Sequence, residues 1–346
     1  METVIYRLPD PREDTWLEHA AETLQRGGLV AFPTETVYGL GAAMSYPPAI
    51  RQVFTVKVRP NDNPLILHIY ELGQLAEIAR EIPPVAYRLA ERFWPGPLTL
   101  VLPARPEVPA EVTAGLPTVA VRMPSHPVAL ALLRKTGIPV AAPSANLSGR
   151  PSPTTGDAVV EDLFGAIDVI IDAGPTGVGL ESTVLDLTGD RPRVLRPGGV
   201  TPEMLAEVFG PGIVEAPWRV EAQRPAAPGM KYRHYAPKAP MKVFAGPVEK
   251  VREAINGCLR MDLPQGKKVA VLGFEDSRDR YPGAIFKSLG EREHPEAAAH
   301  RLFMLLRTCD REHVDQIYGE LPTTQGVGLA VVNRLWKAAG GDLIEL

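Results

Sequence analysis

The 346-residue chain is 45% hydrophobic and 23% charged, the balance of an ordinary soluble globular protein, and its length fits two domains better than one. A net charge of −4 excludes a global basic field able to recruit nucleic acid or an anionic membrane. No apolar run reaches the length of a membrane span, and the N-terminus lacks the pattern of a signal peptide.

From the N-terminus, residues 14–27 read as a helix closed by Gly27 and Gly28, followed by a buried strand Leu29–Phe32. A helix over 47–56 delivers Lys57 and Arg59 at its C-terminal end. Leu65–Ile69 is a strand, and its alternation turns His68 away from Leu67 and Ile69. A helix at 84–93, strands Leu98–Leu102 and Thr118–Arg122, and a helix at 127–135 come next. Strand Pro139–Ala142 leads into Pro-Ser-Ala-Asn, and strands Val169–Asp172, Ser182–Leu187 and Arg193–Leu195 complete a mixed α/β domain over 1–209.

Residues 210–240 are rich in proline and poor in periodicity, as a linker would be. A spacer has no need of Lys231, Tyr232, Arg233, His234 and Tyr235 in succession, so this segment is expected to act as an active-site lid. Over 241–346, strands at 242–244, 268–272 and 316–318 alternate with helices at 247–260, 295–309 and 329–339. That order predicts a smaller, Rossmann-like parallel α/β domain.

Cys258 and Cys309 are expected to be buried thiols in a reducing cytoplasm, since no zinc-ligand spacing surrounds either. The chain holds 36 prolines, and many sit at motif edges, where they fix the backbone of polar loops.

Five such loops share one character. They are Pro-Thr-Glu-Thr-Val-Tyr-Gly-Leu-Gly (33–41), Lys-Val-Arg-Pro-Asn-Asp-Asn-Pro-Leu (57–65) with His68, Pro-Ser-Ala-Asn-Leu-Ser-Gly (143–149), Glu-Ser-Thr-Val (181–184) and Arg-Pro-Gly-Gly (196–199). Each joins hydroxyls, amides or cations to glycine and proline beside an apolar run. Together they suggest strand ends converging on an anion. No phosphate loop and no full Gly-x-Gly-x-x-Gly is present, so phosphates would need side-chain cations and scattered backbone amides. Lys57, Arg59, Arg122 and Arg196 are the candidate cations.

Taken singly, Thr34, Thr36, Ser144, Asn146, Ser148, Ser152 and Ser182 are more often helix caps or turn residues than ligand contacts. A lone strand histidine such as His68 is more often structural than catalytic. Asp172, Glu181 and Asp186 have no geometry fixed by spacing, so no protein metal site is read from them. The serines lack a histidine–acid partner set.

The five motifs, with Phe-Trp-Pro-Gly-Pro-Leu-Thr (93–99) and Val-Arg-Met-Pro-Ser-His-Pro (121–127), resemble the YrdC/Sua5 family of L-threonylcarbamoyladenylate synthases. The match runs in order from about residue 15 to 208. The Lys-Tyr-Arg-His-Tyr-Ala-Pro linker and the Ala-Val-Val-Asn-Arg-Leu-Trp-Lys-Ala-Ala stretch (330–339) resemble the longer, Sua5-type branch. That resemblance implies a YrdC-like twisted mixed sheet. It also implies a reaction in which L-threonine, bicarbonate and ATP give threonylcarbamoyl-AMP and pyrophosphate. The product would pass to threonylcarbamoyl-transfer proteins that modify adenosine 37 of tRNAs reading codons that begin with A.

Carried over position by position, the resemblance implies threonine contacts at Thr36, His68, Arg122, the Ala142 backbone and Ser182. For ATP it implies Arg59, Asn63, Thr118, Ser144, Ser152, Arg196 and Tyr235, with Lys57 neutralising the triphosphate or the carbamate. Lys57 and Arg59 are the catalytic candidates. Mg²⁺ is expected with the triphosphate, held by phosphate oxygens and water. Two rival readings are an RNA-binding module without ATP turnover and a carbamoyl-transfer component of hydrogenase maturation. The acidic net charge argues against tight direct tRNA binding, and two distant cysteines cannot supply the zinc modules of the second.

Overall fold

The computed structural model describes residues 2–7, 14–214, 216 and 234–346, which group into two compact units. The first comprises Met1–Ser148 with Ser152–Tyr232, the second Gly149–Pro151 with Arg233–Leu346. Most of the expected lid, residues 215 and 217–233 with Lys231, Tyr232 and Arg233 among them, lies outside the described residues.

The first unit runs β1 (Val4–Arg7), α1 (Asp14–Gln25), β2 (Val30–Phe32), β3 (Gly39–Ala43), α2 (Pro47–Val56), β4 (Ile66–His68), α3 (Leu75–Ile78), α4 (Pro84–Phe93) and β5 (Leu98–Pro103). It continues α5 (Ala110–Thr113), β6 (Thr118–Arg122), α6 (Pro127–Thr136), β7 (Val140–Ala141), α7 (Gly156–Leu163), β8 (Val169–Asp172), β9 (Thr183–Asp186), β10 (Arg193–Arg196) and α8 (Pro202–Phe209). Its ten strands form one mixed sheet in the order β1-β8-β2-β3-β7-β4-β6-β5-β9-β10.

Strand alternation sorts the side chains of this sheet onto two faces. Leu65, Leu67, Leu100, Val119, Val121 and Leu185 join the main core, where α2, α4 and α7 contribute Ile50, Val53, Leu89 and Val159. On the other face Val30, Phe32, Val140 and Ala142 pack under Leu24 of α1 and Leu132 and Leu133 of α6. Further along, Ile66, Val101, Ala120, Val184 and Leu195 form a small cluster to which no described helix contributes.

Several helices begin where proline costs nothing, because the first-turn N–H groups have no intrahelical acceptor. α2, α4, α6 and α8 all carry proline in that turn. α6 ends on Gly137 with φ 71°, a left-handed cap that favours glycine.

The second unit runs β11 (Met241–Ala245), α9 (Val248–Asp262), β12 (Val269–Gly273), β13 (Ile285–Ser288), α10 (Pro295–Arg311), β14 (Gln316–Glu320), α11 (Gly328–Ala338) and β15 (Leu343–Glu345). Its five strands are all parallel, ordered β13-β12-β14-β11-β15. Both cysteines are free, but only Cys309 is buried. Cys258 is half-buried, which corrects the expectation of two buried thiols. Burial pushes the Cys309 thiol up to about 12, so it stays protonated.

Leu133 is fully buried under the sheet in the α1–α6 layer. Leu133→Ala is expected to lower stability by about 2–5 kcal/mol, read by chemical denaturation of the full chain.

Candidate active site

The half-face without a helix is where the polar motifs meet. β4 and β6 run parallel, with Ile66 opposite Ala120 and His68 opposite Arg122. Thr118, Ala120 and Arg122 therefore share one face with Ile66 and His68. Thr118 and Arg122 lie at opposite ends of β6, about 13 Å apart at roughly 3.3 Å per residue.

At the C-terminal end stands Arg122, whose guanidinium is buried. Its Nε donates to Gly96 O at 3.2 Å and its Nη1 to Thr36 Oγ1 at 2.9 Å. Its Nη2 lies 2.6 Å from Glu35 Oε1. Thr36 is fixed in turn by Thr34, whose hydroxyl lies 2.8 Å from Thr36 Oγ1 and donates to Val37 O at 2.6 Å. This side-chain turn lets the Thr-Glu-Thr segment present its polar atoms with little backbone freedom. His68 Nδ1 lies 3.2 Å from Ile66 O, and the ring meets Phe32 edge-on at 6.1 Å. Burial first, and the Arg122 charge second, lower the His68 pKa to about 3, so the imidazole is neutral at pH 7.

Ser182 belongs to this end too. Its hydroxyl lies 2.7 Å from Thr99 Oγ1, and Arg196 reaches both its carbonyl and its hydroxyl at 3.1 Å. Arg196, expected on the nucleotide, is thus joined directly to a residue expected on the amino acid. Gly198 makes this junction possible: a Cβ there would stand 2.3 Å from Thr183 N and 2.5 Å from Glu181 O. The Arg-Pro-Gly-Gly motif needs glycine for backbone approach.

The other end gathers Lys57, Arg59, Asn63, Ser144 and Thr118. β7 runs antiparallel to β4 with Ala141 opposite Leu67, so Ala142 and then Ser144 pass toward the start of β4. The Ala142 N–H donates to Ile66 O at 3.0 Å. Lys57, buried at the end of α2, donates through Nζ to the carbonyls of Ser144 and Asn146. Arg59 donates to Asn63 O at 3.2 Å and Pro64 O at 3.3 Å, closing the loop between them. Asn63 is buried, and its Oδ1 has no hydrogen-bond partner among the described residues. Between the two cations Val58 takes φ 50°, left-handed backbone that a β-branched side chain rarely adopts. That twist separates the directions of Lys57 and Arg59.

Ser152 donates to Glu181 Oε1, beside Ser182 in sequence. Tyr235 lies in the second unit, its ring stacked on Phe303 at 5.1 Å with the Arg334 guanidinium 5.5 Å from its centre. Asp172, Glu181 and Asp186 do not converge: Asp172 pairs with Arg7, Glu181 holds Ser152 and Asp186 caps Thr188.

Sequence reasoning passed over Glu35, Tyr38 and Thr99. Tyr38 braces three segments at once. Its N–H donates to Pro153 O at 2.9 Å and its carbonyl accepts from Ala145 N at 2.8 Å. Its hydroxyl donates to Gly174 O at 2.6 Å, while burial and the Asp172 charge push its pKa upward. The available signal was that Glu35 and Tyr38 fall inside the first of the five motifs and Thr99 at the end of Phe-Trp-Pro-Gly-Pro-Leu-Thr.

The chain resembles known proteins over nearly its whole length. Residues 22–198 match the Sua5/YciO/YrdC family profile, described as "Telomere recombination", and 200–340 match "Threonylcarbamoyl-AMP synthase, C-terminal domain". A threonylcarbamoyl-AMP synthase of Bacillus subtilis is 47% identical over 96% of this chain and 95% of its own length. One from Schizosaccharomyces pombe is 39% identical, covering 96% of this chain and 90% of its own. The crystal structure of Pyrococcus abyssi Sua5 complexed with L-threonine superposes with a TM-score of 0.94 at 47% identity, over 99% of this chain and 100% of that one.

Two outcomes are expected at this site. The His68 ring resonances should stay constant from about pH 8 to about pH 5 by NMR, where a free imidazole titrates. Above pH 6.5 the group contributes nothing to pH dependence; as pH falls from 6.5 toward about 3 the unfolded chain takes up a proton that the folded site refuses. Stability therefore drops on acidification through that window, and His68→Gln should flatten the slope in denaturation measured against pH. Gly198→Ala should displace the Ser182 junction and lower the melting temperature by several degrees, an effect of about 1–3 kcal/mol.

Proposed function

The chain belongs to the Sua5/YrdC family of threonylcarbamoyl-AMP synthases, and from that premise we propose that it converts L-threonine, bicarbonate and ATP into L-threonylcarbamoyl-AMP and pyrophosphate. The observation that carries this reading is the division of one sheet face. Arg122, Thr36, His68 and Ser182 gather at one end of the β4–β6 pair, and Lys57, Arg59, Asn63, Ser144 and Thr118 at the other. A product that joins an amino acid to an adenylate needs such a bipartite site.

In this mechanism the threonine carboxylate meets the Arg122 fork, and neutral His68 and Thr36 orient the rest of the molecule. The threonine ammonium first gives up a proton; the free amine then forms an N–C bond, to carbon dioxide with release of a second proton or to bicarbonate with loss of water, giving a carbamate. A carbamate oxygen then forms a bond to the α-phosphorus as the bond to the pyrophosphate oxygen breaks. Two anions must approach each other, so Lys57, Arg59 and Arg196 supply the compensating charge and positioning supplies much of the rate. The attack is at the α-phosphate, and no side-chain nucleophile is used.

Mg²⁺ would neutralise the triphosphate in this reaction. Among the described residues no group of three or more His, Cys, Asp or Glu side chains is placed to hold a metal. In this proposal the ion arrives with the nucleotide, ligated by phosphate oxygens and water. Ser152 completes the proposed nucleotide contacts of the first unit, and the family resemblance adds Tyr235. The product would serve threonylcarbamoyl transfer to adenosine 37 of tRNA by separate proteins, with direct tRNA binding weak or absent. Among the described residues no helix is long and apolar enough to cross a membrane, and a cytoplasmic location is part of this proposal.

The test incubates the protein with ATP, bicarbonate and labelled threonine and follows pyrophosphate and a threonine-containing adenylate. ATP cleavage that ignores threonine would sink the assignment. Arg122→Ala should raise the threonine KM, and Arg59→Ala should impair ATP use, each by about ten- to a hundred-fold, the value of a hydrogen bond to a charged group. Wild-type kinetics in both would remove the site map.

A further inference from the structure

Glu35 is the charged side chain in direct contact with Arg122, and the family reading gives it no role. Its Oε1 lies 2.6 Å from Arg122 Nη2, and its Oε2 accepts the Ser125 N–H at 3.0 Å. Its backbone is held as well, since its carbonyl accepts from Val178 N at 2.7 Å. Arg122 and Glu35 side chains are 4% and 13% exposed, so their pairing is formed largely out of water. Each nitrogen of the guanidinium meets a different segment: Gly96 O, Thr36 Oγ1 and Glu35 Oε1. Nε and Nη1 each donate one N–H, to Gly96 and Thr36, whereas the 2.6 Å Nη2 contact with Glu35 is an ion pair without hydrogen-bond geometry, so N–H donors remain on both terminal nitrogens for a ligand carboxylate.

Resting on the function proposed above, we infer that Glu35 is a positioning and specificity-determining residue. It locks the Arg122 fork and neutralises it, so the site selects a zwitterionic amino acid over a carboxylate that lacks an amine. Buried charge sets the preference. Burial pushes the imidazoles of His68 and His126 toward the neutral form, so neither adds a cation to the pair. With a zwitterion bound, the guanidinium, the Glu35 carboxylate and the two ligand charges sum to zero, and the other buried charges beside Ser182, those of Arg196 and Glu181, are one of each sign and cancel as well. With a hydroxy acid bound, the same site carries a net negative charge. Removing the Glu35 charge reverses the preference: the zwitterion leaves a net positive charge and the hydroxy acid leaves none. An uncompensated buried charge is costly, so the reversal should be large.

The experiment uses the full chain and measures threonine-dependent pyrophosphate release, with 2,3-dihydroxybutanoate, threonine with a hydroxyl replacing its amine, as competitor. In Glu35→Gln the threonine KM should rise about ten-fold or more, kcat should change less than about three-fold, and inhibition by the hydroxy acid should tighten about ten-fold. Glu35→Asp keeps the charge while shortening the reach. It should raise the threonine KM yet keep the preference for threonine over the hydroxy acid within about three-fold of wild type. A purely structural role would move both ligands together in both variants, and that result overturns the inference. So does a wild-type ratio in Glu35→Gln. Should Glu35→Gln fail to fold, as a melting curve would show, loss of the preference in a folded Glu35→Asp overturns it equally. Wild-type protein that releases no pyrophosphate in response to threonine instead overturns the proposed function and this inference with it.

Discussion

A guanidinium taken out of water has to be met by oriented acceptors, and around Arg122 that requirement ties together four parts of the chain. The strand that carries it, the Thr-Glu-Thr turn, the Gly96 carbonyl and, through Glu35, the Ser125 amide are all held by one side chain. Buried ion pairs rarely stabilise a fold beyond what apolar packing would give. The expense is therefore better understood as precision: the fork stands in one orientation before any ligand arrives. The Thr34–Thr36 hydroxyl contact and the Tyr38 brace extend the same order outward. Lys57 plays the matching part at the opposite end, where its ammonium draws in the Ser144 and Asn146 carbonyls.

Those two anchors work because the helices are unevenly shared between the faces of the sheet. α1 and α6 cover the β1–β7 half of one face, and among the described residues of the first unit no helix joins the small strand-borne cluster on the other half. A phosphate loop would concentrate donors at one helix N-terminus. Here the cations are spread along a strand pair, which suits a reaction whose two anionic partners start apart and end joined. The cost is visible at Val58, a β-branched residue with φ 50° between the two loop cations, where the backbone departs from its preferred regions.

Much of this was legible in the sequence, for identifiable reasons. The alternation at 65–69 predicted that His68 faces opposite to Leu67 and Ile69, which join the main core without it, and the parallel second sheet followed from strands alternating with helices. β3 was not legible as a strand: Gly39-Leu-Gly-Ala-Ala has little strand propensity and is fixed by its two neighbours. β13 and β15 are short and sit at the sheet edges, and α7 and α8 are only two turns long, too short for a helical period to stand out. Glu35 was missed because its partner lies 87 positions later, and no spacing rule joins a turn to a strand end across that interval.

The central claim is that the half-face without a helix holds the amino acid at its Arg122 end. A crystal structure of this protein soaked with L-threonine measures it most directly. The account predicts the threonine carboxylate within hydrogen-bond distance of the Arg122 terminal nitrogens, on the face shared with His68, with Glu35 still paired to the guanidinium. Threonine bound in the second unit, or with its carboxylate turned away from Arg122, would contradict it.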